Sequence, residues 1–375
     1  MLTPDYPNKL YGGIGIHVKH LADKLTSLGN TVDVVVARFN IYIDAKIIEF
    51  FDGNVHVFEF MENSNIDFKT QKNINYCTHR YLKNNSDILE TLLKLYDDGN
   101  YNIVHCHDYY FAFFADIILK KYHKKVVTTI HSLGSPESFI EDSIRRYICL
   151  NSSHLVFVSK TLCKETREHY RFSTQEKIIY NGISPSTNLN NYKNENLLSF
   201  CGRLNSYKGC DTLIRAFHIL KQKLSFPELK LIIIGDGHKR QELEQLVVEL
   251  GLHKYVNFTG YINNEKAREY IHQAMVHIVP SNYEPFGISV LEAMSEKTCV
   301  IASNVGGISE IIEDTVDGLL FQAGNFKELA KKIMDILNNK ALRTNIIQNG
   351  YEKSIKMNWE NVAYETLDVY KKTMD

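Results

Sequence analysis

The chain has 375 residues, 44% of them hydrophobic and 23% charged, which excludes a disordered or fibrous polymer and gives enough length for two domains, each with its own core. A net charge of −1 excludes a general pull toward nucleic acid or an anionic membrane surface, so any anion site is local. Seven cysteines, without a Cys-x-x-Cys pair, favour free thiols in a reducing compartment over a disulfide framework or structural zinc, and no apolar run or leader-like segment points to a membrane span or export. The reading is a cytoplasmic protein.

Met1 to Pro7 read as the tail of a strand running into a loop. Tyr11-Gly-Gly-Ile-Gly15 follows, and Ile14, Val18, Leu21, Ala22, Leu25 and Leu28 recur at helical spacing up to a stop at Gly29. A glycine loop that opens a helix after a strand lets backbone N–H groups approach a phosphate, although a plain turn explains the same glycines. Thr31 to Ala37 is a continuous apolar strand, as in a parallel sheet covered on both faces. Ile47 to Met61 predicts a hairpin around Asp52-Gly53, and Ser86 to Asp97 a helix. Ile103 to Asp108 ends another strand with His105 and His107 on one face. His-x-His beside an aspartate is a metal-site pattern, but no third clustered ligand follows, which favours ordinary hydrogen bonds or a substrate-facing role. Lys125 to His131 delivers His131 to the C-terminal end of a buried strand, the edge where open α/β sheets bind ligands. His154 to Ser159 and Lys177 to Ile183 close this half, with Asn181-Gly182 as a turn at its exit. Ser184 to Asn196 is rich in asparagine, holds one aliphatic residue, Leu189, beside Ile-poor polar sequence, and reads as a linker.

The strand–helix alternation then restarts. Leu197 to Gly202 is a strand, followed by Arg203 and Lys208 on a loop before a helix. Surface charge is the usual reading of such residues, but at a strand C-terminus they suit a diphosphate, the arginine bidentate and the lysine as a point charge. Leu231 to Gly237 and Val256 to Ile262 are further strands with turns, and 264–274 and 325–337 are amphipathic helices. Met275 to Val279 reads as a buried strand; Pro280, Asn282 and Pro285 break the chain before Ile288, Leu291 and Glu292 resume a helical period. Glu284 therefore lies on the loop, with Gly287 and Ile288 at a helix N-terminus whose unpaired N–H groups and dipole favour an anion. Glu292 lies two turns further along the same face. Met357-Asn-Trp359 opens a last amphipathic helix.

The strings Gly202-Arg-Leu with Lys208-Gly209, Glu284-Pro-Phe-Gly287, Ala302 to Glu310 and Asp317 to Phe321, together with Tyr11 to Gly15 and Thr129-Ile-His131, resemble the retaining nucleotide-sugar glycosyltransferases of family 4 (glycogen-synthase-like, group 1). The resemblance covers nearly the whole chain and is strongest over 197–321. It implies a GT-B fold: two Rossmann-like, doubly wound parallel-sheet α/β domains facing a cleft. The acceptor-binding domain would be 1–183, the linker 184–196, the nucleotide-sugar domain 197–356, and 357–375 a helix crossing back to the N-terminal domain. Members of this family carry several more apolar residues ahead of the first strand, so either that strand is stubby here or Met1 is not the natural start.

As catalytic residues the resemblance implies His131 beside the transferred sugar, Arg203 and Lys208 on the diphosphate, and Glu284 at the sugar hydroxyls. As donor-binding residues it implies Gly12, Gly13 and Gly15 at the diphosphate, Asn181 at the cleft, Gly260 and Tyr261 near the nucleobase, Phe286, Gly287 and Ile288, and Glu292 on the ribose diol. Asp108 would face the acceptor side, where loops 62–85 and 133–146 contribute contacts. The expected reaction is metal-independent transfer of a hexose from a nucleotide sugar to a saccharide or other hydroxyl acceptor with retention, and no cofactor. UDP-glucose or UDP-N-acetylglucosamine is expected on family frequency, with ADP-glucose and GDP-mannose open; neither nucleic acid nor a membrane span is expected, and oligomeric state is unspecified. Two other readings remain. A sugar-nucleotide epimerase of related fold would release free sugar without an acceptor, and a catalytically weak sugar-nucleotide-binding protein would bind donor without turnover.

Overall fold

The computed structural model describes all residues except 5, 7–12, 37–45, 62–89, 91, 110, 134–138, 187–192 and 224–225. Two compact units divide the chain. One comprises Met1–Val158, Cys163–Tyr180 and Trp359–Asp375, the other Ser159–Leu162 and Asn181–Asn358.

The first unit is built on eight strands: β1 (Leu2–Thr3), β2 (Asp33–Val36), β3 (Lys46–Asp52), β4 (Val55–Met61), β5 (Val104–His107), β6 (Val126–Ile130), β7 (His154–Phe157) and β8 (Glu176–Ile178). Their order is β3-β4-β2-β1-β5-β6-β7-β8. Every pairing is parallel except the β3–β4 hairpin at the edge, which turns through Gly53 at φ +60°. β1 has only two residues, yet it holds the centre, because Leu2 pairs with both Val35 and Cys106. Helices α1 (Gly13–Ser27), α2 (92–99), α3 (Ala112–Lys120), α4 (Phe139–Asn151) and α5 (Lys160–Tyr170) alternate with the strands. α1 buries Val18, Leu21, Ala22 and Leu25 against Val34, Val36, Val55 and Val57, β-branched residues that fit a pleated surface. The stretch 133–146, expected as a loop, runs into α4 over its second half. Its buried face mixes Arg145 with Ile148 and Cys149, which blurs the apolar period by which a helix is read from sequence.

The second unit carries six strands, β9 (Asn194–Cys201), β10 (Lys230–Ile234), β11 (Val256–Gly260), β12 (Ala274–Val279), β13 (Cys299–Ser303) and β14 (Leu319–Phe321). Their order, β11-β10-β9-β12-β13-β14, is parallel throughout and doubly wound. α6 (Cys210–Lys221), α7 (Arg240–Glu249), α8 (Asn264–Gln273), α9 (Ile288–Ser295), α10 (Ile308–Ile311), α11 (Phe326–Asn338) and α12 (Lys340–Lys356) surround them. The core is aliphatic: Leu198, Leu231, Ile233, Val276, Ile278 and Ile301 from the strands meet Leu213, Phe217, Leu329 and Ile333 from the helices. β9 begins at Asn194, so the last residues of the expected linker are already strand.

Asn339 separates α11 from α12 and caps the second, its side chain accepting from the Leu342 N–H at 3.0 Å. After α12 the final helix, α13 (Trp359–Met374), belongs to the first unit, where Trp359, Val362, Ala363, Val369 and Tyr370 join the core that α1 lines. The six cysteines among the described residues are free, and no helix among those residues is long and apolar enough to cross a membrane.

Candidate active site

In the second unit β9 and β12 are neighbours while their next strands lie on opposite sides, which makes the pair the point where the winding of the sheet reverses. Loops leaving such a pair of strand ends diverge and leave a crevice that can take a ligand. The β9 loop carries Arg203 and Lys208, and the β12 loop carries Glu284 through Gly287. The two loops are bound together by backbone: the Asn282 N–H donates to the Tyr207 carbonyl at 2.7 Å, and the Asn282 amide donates to the Ser206 carbonyl at 3.0 Å. Gly209, at φ +61°, lies so close that a Cβ there would stand 2.0 Å from the Pro280 carbonyl oxygen. This framework aims Lys208 at Glu284, with Nζ to Oε2 at 2.5 Å; the glutamate side chain is only 11% exposed and the lysine 30%. The Ser281 hydroxyl lies 3.5 Å from the same carboxylate oxygen. From behind, the Gly307 N–H donates to the Glu284 carbonyl at 3.0 Å, and a Cβ at Gly306, at φ +49°, would stand 2.0 Å from that carbonyl oxygen.

Arg203 is exposed and makes neither an ion pair nor a side-chain hydrogen bond among the described residues. Phe286 is buried, Gly287 adopts φ +113° as the residue preceding α9, and Ile288 is the first residue of that helix. Glu292 is buried on α9 and accepts from the Asn264 amide at 3.0 Å; burial raises its pKa, against the opposing pull of Asn264 and Arg268. Gly260 ends β11 at φ +70°, and Tyr261 follows it half-exposed. Asn181 is buried within the second unit.

In the first unit β1 sits between β2 and β5, and this is its own reversal point. Gly12 lies outside the described residues; Gly13 opens α1, and Gly15 is buried in its first turn. Asp108 follows β5 in a left-handed conformation, φ +59°, and is 3% exposed. Its carboxylate accepts the backbone N–H of His131 at 2.7 Å. Burial pushes its pKa up to about 7, against the pull of the His131 and Ser132 backbone bonds and of Arg145.

His131 caps the end of β6 inside a group of histidines. His131 Nε2 and His107 Nδ1 are 3.0 Å apart, and the His17 ring meets the His131 ring edge-on at 4.7 Å between centroids. His105 is satisfied elsewhere, by the Tyr370 hydroxyl at 2.6 Å and Thr129 Oγ1 at 2.7 Å. Burial holds His105, His107 and His131 well below the ordinary histidine pKa, and repulsion from neighbouring histidines, His17 among them, adds to the shift.

The expectation that no third ligand-type residue joins His107 is therefore corrected. His17 and His131 come to it from α1 and the end of β6, separations no local spacing reveals, and one ring nitrogen from each of the three lies within 4.8 Å of the other two. Within the group, His107 Nδ1 and His131 Nε2 face each other at hydrogen-bond distance. The geometry is that of a hydrogen-bonded imidazole pair. The sequence held one sign of it, since His17 falls on the otherwise apolar buried stripe of α1.

Two doubly wound parallel α/β units define the GT-B class, and the whole chain matches solved enzymes of that class. Sucrose-phosphate synthase from Thermosynechococcus elongatus superimposes with a TM-score of 0.82 at 22% identity, over 99% of this chain and 98% of that one. Anabaena HepE, solved in complex with UDP and glucose, gives 0.73 at 19% identity, over 99% of both. By sequence, the description "Glycosyltransferase Family 4" matches residues 11–187 and "Glycosyl transferases group 1" residues 186–353. An uncharacterized glycosyltransferase of Methanocaldococcus jannaschii is 32% identical over 100% of this chain and 98% of its own length. The chain belongs to the family 4, group 1 glycosyltransferases.

Proposed function

We propose that this glycosyltransferase moves a hexose from a UDP-sugar, UDP-glucose or UDP-N-acetylglucosamine, to a hydroxyl acceptor with retention at the anomeric carbon and without a divalent metal. The observation that carries the reading is the Lys208–Glu284 pair, held at the ends of β9 and β12 beside the exposed Arg203 and the start of α9. In the resting enzyme each group balances the other. A bound diphosphate takes over the lysine, and the carboxylate turns to the sugar hydroxyls. As the glycosidic bond breaks, negative charge grows on the leaving phosphate. Arg203, Lys208 and the N–H groups at Gly287 and Ile288 stabilise it, the kind of preorganised electrostatics that commonly dominates catalysis. Two fixed cations and a helix N-terminus do the work a metal does elsewhere.

His131 meets the transferred sugar, and Glu292 holds the ribose diol. Gly13 and Gly15 lie along the diphosphate, Gly260 and Tyr261 border the base, and Asn181, Phe286 and Asp108 shape the surroundings. The acceptor hydroxyl adds to the face the diphosphate leaves, giving its proton to the departing phosphate oxygen. The UDP preference draws on the family and on the fold neighbour solved with UDP and glucose.

The test is a panel of nucleotide sugars assayed for slow donor hydrolysis and for transfer to simple acceptors, with the product anomer assigned by proton NMR. Release of an α-configured product from an α-linked UDP-hexose, at a rate unaffected by chelator, is the expected result. An inverted product, or a strict need for a divalent cation, would overturn the corresponding part of the reading.

A further inference from the structure

The imidazole pair allows only two arrangements of its shared proton. His107 Nδ1–H donates to His131 Nε2, or His131 Nε2–H donates to His107 Nδ1. They differ at the far nitrogens. His107 Nε2 is fully buried and has no hydrogen-bond partner. In the second arrangement that atom carries a proton, leaving an N–H donor buried with no acceptor, the rarer and costlier kind of orphan. In the first it is a bare lone pair. The cross-strand setting allows no easy escape, because His107 lies on β5 in register with Thr129 and is entirely buried, its ring tilted 30° at 4.4 Å from a His105 ring that is itself bonded on both nitrogens.

We infer that His107 is a positioning residue which holds His131 as the Nδ1–H tautomer, so that His131 meets the transferred sugar as a hydrogen-bond donor and not as a base. This inference rests on the reading that His131 contacts that sugar. His131 Nδ1 is the nitrogen left over: it has no protein partner among the described residues, and the residue as a whole is 8% exposed. The ring is steadied on its remaining sides by the Asp108 carboxylate on its backbone N–H and by the edge-on His17 ring. A neutral Nδ1–H suits a site where positive charge builds on the sugar ring, since it can hold a hydroxyl oxygen without adding a full positive charge.

The experiment uses the full chain with ¹⁵N-labelled histidine. Long-range proton–nitrogen correlation spectra should show His131 Nδ1 as protonated and Nε2 as bare. His107→Phe should return His131 to a mixture or to Nε2–H, and His107→Asn, whose amide can donate from near the Nδ1 position, should restore the native signature. With UDP-glucose as probe, His107→Phe should lower turnover about tenfold, the worth of one neutral hydrogen bond. Affinity for UDP alone should stay unchanged, and His107→Asn should recover most of the loss.

Nε2–H at His131 in the unmodified protein overturns the inference even if His107→Phe fails to fold. So does stoichiometric zinc binding that His17→Gln abolishes, because it would give the cluster to a metal. If His131→Ala leaves donor turnover intact, the reading of His131 as a sugar contact falls. If His131→Ala is inactive while His107→Phe keeps both tautomer and rate, only the role of His107 falls.

Discussion

Replacing Lys208 by alanine separates what the ion pair does for stability from what it does for turnover. Lys208 Nζ lies 2.5 Å from a glutamate side chain that is 11% exposed, so its removal strands a nearly buried carboxylate. Fully buried pairs cost about 3–5 kcal/mol when one partner is removed, and exposed pairs about 0–1. Discounted for the 30% exposure of the lysine, the expected loss is about 2 kcal/mol. Glu284→Gln leaves behind the more exposed cation and should cost about half as much, and the double variant should recover about 1 kcal/mol relative to the sum of the singles. Turnover behaves differently. Loss of one preorganised charge on a leaving group lowers rate by about 10²–10³-fold, and the double variant recovers none of it. Urea unfolding followed by fluorescence reads the first quantity and initial rates of donor hydrolysis the second. Additive stabilities would refute the pair in solution, and unchanged turnover in Lys208→Ala would remove the lysine from the chemistry.

Further outcomes follow from the same geometry. His105, His107 and His131 are held neutral when folded and take up protons on unfolding below about pH 6.5, whereas Asp108, raised to about 7, holds a proton in the fold that the unfolded chain releases above about pH 4. The unfolded state therefore binds about two more protons from this pocket, and stability should fall by about 3 kcal/mol per unit as pH drops from about 6 to 5. Asp108→Asn should steepen that slope by about one proton; a flat profile in urea titrations across this range would refute the buried neutral cluster. Gly306→Ala places a Cβ 2.0 Å from the Glu284 carbonyl oxygen at a left-handed φ of +49°, and should cost about 2 kcal/mol or more and lower turnover with it. Wild-type activity and melting temperature in that variant would show the loop yields freely.

Much of the site was legible because each α/β unit ends its strands with the same kind of punctuation. Pro280, Asn282 and Pro285 after an apolar run place Glu284 on a loop, and the structure has that loop between β12 and α9. The hairpin at 46–61 was readable from its turn residues. What escaped was whatever depends on side chains distant in sequence. Asp108 was readable as a strand-end carboxylate, but its bond to the backbone of His131 requires β5 and β6 side by side. Asn264, on a helix that needed no functional account by its pattern, turns out to hold Glu292. Tyr370, near the end of the chain, reaches His105 at 2.6 Å, a pairing across 265 positions.

The sequence by itself determined the alternation of strands and helices, the two-unit organisation and the cast of charged residues at strand ends, because these depend on periodicity and turn chemistry acting over a few residues. Only the tertiary structure decided that β9 and β12 are neighbours, that Lys208 spends its charge on Glu284, and that His17, His107 and His131 share one pocket. Strand order and the facing of side chains are set by the packing of whole layers, and an imidazole's protonation and tautomer follow from burial and from the partner across the sheet. No local stretch of the chain carries that information.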